Sequence, residues 1–85
     1  MKLFEVFLGE GVNADSVLSA EVLEETGAQV MTPEQAELVG LEGVPADPEG
    51  RRRILIACRP QDERLITSRL ERHEGVNGFK LHLLG

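Results

Sequence analysis

The chain has 85 residues, 41% of them apolar, and nine Lys/Arg against fifteen Asp/Glu for a net charge of −6. That length makes one small domain over residues 1–85, whose core is marginal without reinforcement. A single cysteine, Cys58, excludes a disulfide framework, and one Cys with two His forms no CxxC or HxxxH zinc spacing.

The acidic balance argues against general nucleic-acid binding, which needs many cationic contacts to phosphate, and against an anionic membrane surface. Met1 to Leu8 has no cleavage-site pattern after it, and no apolar run approaches the ~20 residues of a membrane helix. The expectation is a soluble, cytoplasmic protein, a compartment that a lone thiol also fits. Charge is uneven: residues 1–50 carry one Lys and eleven acids, residues 51–85 eight Lys/Arg and four acids. The two halves therefore attract, within one chain or between chains, or present a docking field to a partner.

Lys2–Leu8 predicts the first strand. Phe4, Val6 and Leu8 share one face; Leu3, Glu5 and Phe7 share the other, which is semi-apolar with Glu5 at its middle. Gly9-Glu10-Gly11 is a turn, and Asn13 or Asp15 caps a helix that runs to about Thr26 on a stripe of Ala14, Val17, Leu18 and Val22. Gly27 is its C-cap.

Residues 28–42 are ambiguous. Thr32-Pro33-Glu34-Gln35 has the form of a helix start. Glu37–Glu42 (ELVGLE) has the form of a strand returning beside the first, and a strand is favoured because it completes the sheet. Gly43–Gly50 (GVPADPEG) then reads as a flexible loop between the two halves.

Arg53–Arg59 is a central strand with two apolar faces, Ile54, Ile56 and Cys58 alternating with Leu55 and Ala57. Pro60 ends it and opens a second helix with Leu65, Ile66, Leu70 and His73 on one stripe and Arg64, Ser68 and Arg72 on the solvent side. Gly75 stops that helix. Phe79, Leu81 and Leu83 then alternate with Lys80, His82 and Leu84 in a half-exposed last strand.

Two strand-helix-strand units joined by a hairpin-like link give β-α-β-β-α-β, an α/β (α+β) sandwich of the ferredoxin-like kind. Its four-stranded antiparallel sheet carries two helices on one face. The other face would be bare, lined by Leu55 and Ala57, and a bare apolar face of that size usually meets a second copy.

Cys58 falls on the core face and reads as a small hydrophobe. His73 near a helix end reads as a capping group. Glu5, Lys80 and His82 form the most interesting polar set, as cross-strand neighbours on one face. His82 with Glu5 is then the only candidate for proton transfer. Arg51, Arg52 and Arg53, with Lys80, are the candidate ligand-binding residues, because guanidinium forks grip phosphate or carboxylate. The alternative is a solvated strand entrance answering Asp47 and Glu49. No metal site, no cofactor motif, no phosphate loop and no nucleophile elbow is present in the sequence.

The order of elements resembles small regulatory domains of the PII-like and ACT-like kind, in which such a unit oligomerises and binds small effectors at subunit clefts. Gly43–Gly50 lies where PII-like proteins carry a signalling loop. The PII nucleotide-binding signature and a clear ACT effector motif are missing, so no residue role is carried over. The expectation is a non-enzymatic regulatory or protein-interaction module, a dimer or trimer, with a small anionic effector as candidate ligand. The alternatives are a small enzyme using His82 and Glu5 on the open sheet face, and a structural subunit of a larger assembly.

Overall fold

The computed structural model describes residues 2–38 and 52–83, the last by its backbone alone. The elements are β1 (Lys2–Leu8), α1 (Ala20–Thr26), β2 (Gln29–Met31), α2 (Pro33–Leu38), β3 (Arg53–Cys58), α3 (Glu63–Arg72) and β4 (Val76–Leu83). One-turn 3₁₀ segments at Ala14–Ser16 and Pro60–Asp62 precede α1 and α3. The strands form one sheet in the order β2-β3-β1-β4, with every neighbouring pair antiparallel. The radius of gyration is 12.0 Å, matching the ~12 Å of a close-packed chain of this length.

Alternation puts Phe4, Val6 and Leu8 of β1 and Ile54, Ile56 and Cys58 of β3 on one face. Val17, Leu18 and Val22 cover them from the α1 side, and Ile66 and Leu70 from α3. Phe79 of β4 packs edge-on against Phe4, ring centroids 5.9 Å apart. Each such side chain contributes ~1.5–3 kcal/mol on burial, so this layer supplies most of the folding drive.

The first helix is shorter than its apolar stripe implied. Asn13 caps only the 3₁₀ turn, its side chain accepting from the Asp15 amide at 2.9 Å. Ser19 then caps α1, accepting from the Val22 amide at 3.3 Å. Two capping residues in one run split it, because each offers the backbone a local alternative to the continuous helical ladder. Gly27, at φ 67°, ends α1 in the left-handed conformation that glycine adopts without a Cβ clash.

The second correction is larger. The strand after α1 is Gln29–Met31, ahead of Pro33, and Pro33–Leu38 is a helix. Thr32 and Gln35 form a reciprocal capping box: the Gln35 amide donates to Thr32 Oγ1 at 3.2 Å, and the Thr32 amide donates to Gln35 Oε1 at 2.8 Å. Glu37 and Leu38 are thus helical, while 39–42 and the Gly43–Gly50 loop lie outside the described residues.

This third helix, α2, is not on the face of the other two. Its Ala36 packs with Leu3, Leu55, Ala57 and Met31 on the opposite side of the sheet. The expectation of two helices on one face and a bare second face is overturned. Leu3, Leu55 and Ala57 are all buried, so the apolar half of that face is satisfied within the chain. The molecule is a mixed α+β domain with a four-stranded antiparallel sheet and three helices. Among the described residues no helix is long and apolar enough to cross a membrane.

Candidate functional site

The α2 side of the sheet is an ordered grid. The β1–β3 register sets Phe7 opposite Arg53, Glu5 opposite Leu55 and Leu3 opposite Ala57. The β1–β4 register sets Glu5 opposite Lys80 and Leu3 opposite His82. Glu5 therefore sits at the centre of a central strand, and its side chain is buried.

A carboxylate so placed must find donors, because burying an unpaired charge is costly. Glu5 takes both from diagonal positions, which lie within reach of long side chains. Oε2 accepts from Nη1 of Arg53 on one side. Oε1 lies 3.2 Å from Nε2 of His82 on the other. Side-chain exposure is 5% for Glu5, 11% for Arg53 and 25% for His82, so the trio grades from buried carboxylate to solvent-facing imidazole. Burial pushes the Glu5 pKa up. The hydrogen bonds and positive charges of Arg53 and His82 outweigh that and hold it below the ordinary glutamate range.

An ionised Glu5 only accepts, so Nε2 of His82 carries the proton it donates. Lys80 stands directly across from Glu5 but leans toward Phe7, its ammonium 5.7 Å from the ring centroid. That is a cation–π placement worth ~0.5–1 kcal/mol at an exposed position. One carboxylate thus organises a patch holding two full cations and an imidazole.

Arg52 and Arg53 do not converge. Arg51 lies outside the described residues. Arg52 and Arg53 differ by one residue at a strand start, so they leave opposite faces of the sheet. The Arg52 guanidinium donates to the Val12 carbonyl, while Arg53 joins Glu5. The sequence pairing of Glu5, Lys80 and His82 omitted Arg53 from that face. Strand parity already placed Arg53 with Leu55 and Ala57, and this was the signal that would have found it.

His73 has a different task. Its Nδ1 accepts from the Gly75 amide at 3.0 Å, and its Nε2 faces the Ser16 carbonyl at 3.2 Å. The neutral ring, protonated on Nε2, satisfies both contacts and ties the end of α3 to the first 3₁₀ turn. Gly75 itself is sterically required: a Cβ there would lie 2.7 Å from Val12 Cγ2.

Cys58 is buried, and burial, followed by the charges of Asp62 and Glu63, raises its thiol pKa. It remains a neutral thiol on the core face, without the exposure and net positive surroundings of a reactive one. Among the described residues no three His, Cys, Asp or Glu side chains are grouped to hold a metal ion. A cleft of about 340 Å³ opens beside Cys58, lined by Gly27, Gln29, Ala57, Cys58, Arg59 and Pro60. Compared with protein-family models, curated proteins and solved structures, the chain has no significant match.

Proposed function

We propose that this chain is a non-enzymatic regulatory or protein-interaction module that receives a small anionic effector on the α2 side of its sheet. The observation that carries this reading is the buried Glu5 carboxylate, which holds Arg53 and His82 on the face that also bears Lys80. The patch has an excess of positive charge in a chain whose net charge is −6. Glu5 also occupies a position where an apolar side chain would serve folding at least as well, since replacing a buried ion pair by packed hydrophobes is often neutral or stabilising by ~1–4 kcal/mol. A carboxylate kept there for a reason other than stability is consistent with a site that needs oriented cations. Lys80 would meet the ligand, with Arg53 adding charge from behind.

The ferredoxin-like assignment belongs to the same proposal. Its support is the antiparallel order β2-β3-β1-β4 and, with α2 set aside, a strand-helix-strand order occurring twice. Helix α2 is the departure from that pattern. A dimer or trimer is also part of the proposal. Its support is the outer position of the eight-residue β4 among the described strands and the exposure of Leu81 at 41%, an edge of the kind that pairs with another strand.

A dye-based thermal shift with inorganic phosphate, citrate, nucleotides and dicarboxylates tests the ligand reading. An anion at 100 times its Kd stabilises by ~2.7 kcal/mol through mass action, or ~10–20 °C for a domain of this size. The expected result is a saturable rise that Lys80→Glu removes and Arg64→Glu, on the exposed side of α3, leaves in place. No rise with any anion, or a rise that survives Lys80→Glu, refutes it. Sedimentation at micromolar concentration tests assembly, and a strict monomer removes that part.

One observation favours a second reading. An imidazole whose ring is oriented by a carboxylate, as His82 is by Glu5, is the arrangement of a general base. Hydrolysis of a phosphoester or ester probe that Glu5→Gln and His82→Gln both abolish would move the function to an acid–base enzyme.

A further inference from the structure

We propose that the cleft beside Cys58 is a second binding site, for a small molecule with an apolar body and one carboxylate. It is independent of the Glu5 patch: Arg53 and Arg59 stand six residues apart on one extended segment, about 20 Å.

The cleft follows from local chemistry. Gly27 ends α1 in a left-handed turn and swings the chain into β2, whose pairing with β3 begins only at Gln29 opposite Ala57. On the other strand, Pro60 ends β3 and bends the backbone into the 3₁₀ turn before α3. The two chains therefore part beyond the Gln29–Ala57 pair. Gly27, Ala57 and Cys58 at the gap are small, and a Cβ built on Gly27 would meet nothing within 4 Å. Glycine is required there by its φ, so its presence does not argue for a ligand; the empty space beside it does. About 340 Å³ remains open, inside the usual range of small-molecule sites.

Gly27, Ala57, Cys58 and Pro60 give it a mainly apolar lining, and Gln29 adds a neutral polar residue. Among the described residues the one charged lining residue is Arg59, and its geometry is specific. Nε donates to Asp62 Oδ2 at 2.7 Å, which fixes the plane of the guanidinium. That contact leaves the two terminal nitrogens, the end that grips a carboxylate through two parallel hydrogen bonds. Arg59 lines the cleft and keeps 55% side-chain exposure, so its guanidinium is open to a ligand. Apolar walls with one oriented fork select an amphiphilic monocarboxylate over a polyanion, which the flanking Asp62 and Glu63 would repel.

The test is a titration of the ¹⁵N-labelled full chain with octanoate and, separately, 1-octanol, followed by amide shifts. Octanoate should give saturable shifts centred on Gly27, Gln29, Ala57, Cys58 and Arg59, with at least about fivefold tighter binding than the alcohol. Arg59→Gln should abolish that advantage, Arg59→Lys should keep only part of it, and Lys80→Glu should leave it intact. Arg59→Gln breaks only an exposed i,i+3 pair of little weight in stability, so the variant should remain folded. Shifts centred on Lys80 and His82, equal binding of acid and alcohol, or an Arg59→Gln variant that keeps the preference would each overturn the proposal.

Discussion

Substituting Glu5→Gln removes one negative charge from the centre of the sheet while keeping side-chain shape. The Gln carbonyl can accept from Arg53 or from His82 but not from both, and its amide end presents a donor to a donor. Breaking a fully buried pair by removing one partner costs ~3–5 kcal/mol. Arg53 is 11% exposed and His82 25%, so both can regain some water and the lower side applies, ~2–3 kcal/mol. That is a large share of the ~4–13 kcal/mol typical of a chain this long. It corresponds to a melting point lower by ~10–20 °C. Urea denaturation followed by circular dichroism measures it, and Arg53→Met with the double variant completes a cycle. The double variant should be more stable than the sum of the two single losses implies, because it leaves no uncompensated ion. A Glu5→Gln cost under about 0.5 kcal/mol, or additivity within ~0.3 kcal/mol, would refute the account of Glu5 as the organising charge.

Three further outcomes are expected. Glu5 binds its proton more weakly in the folded protein than in the unfolded chain, so its contribution is present above the unfolded value near ~4.3 and is lost as pH falls through the folded pKa. The stability gap between wild type and Glu5→Gln should therefore shrink from about pH 5 downward, as denaturation at a series of pH values would show. Thr32→Ala should lose the capping box of α2 and cost ~1 kcal/mol, with increased binding of a hydrophobic dye as Leu3, Leu55 and Ala57 become uncovered; unchanged stability would contradict the cap's role. His73→Leu should lose the Gly75 and Ser16 contacts for ~1–2 kcal/mol, and hydrogen exchange should accelerate at the Gly75 amide; unchanged protection there would refute the link.

Local chemistry alone determined much of this protein. The alternation of Ile54, Ile56 and Cys58 with Leu55 and Ala57 marks a central strand because side-chain direction in a strand has period two. Gly27 and Pro60 mark element ends because their backbone limits do not depend on distant residues. Parity also put Glu5, Lys80 and His82 on one face. What parity does not contain is register. The diagonal reach of Glu5 to both Arg53 and His82 required β1 to pair with β3 and β4 at particular offsets. Residues 32–38 show the same limit from the other side. The Thr32–Gln35 capping box was visible, yet ELVGLE suits a strand as well as a helix. For the helix Pro33–Leu38, packing of Ala36 onto Leu3, Leu55 and Ala57 supplies what that pattern lacked. Periodicity and capping are properties of neighbouring residues. Register, the covering of a face and the gap beside Cys58 depend on contacts between distant segments, and so were decided by the tertiary structure.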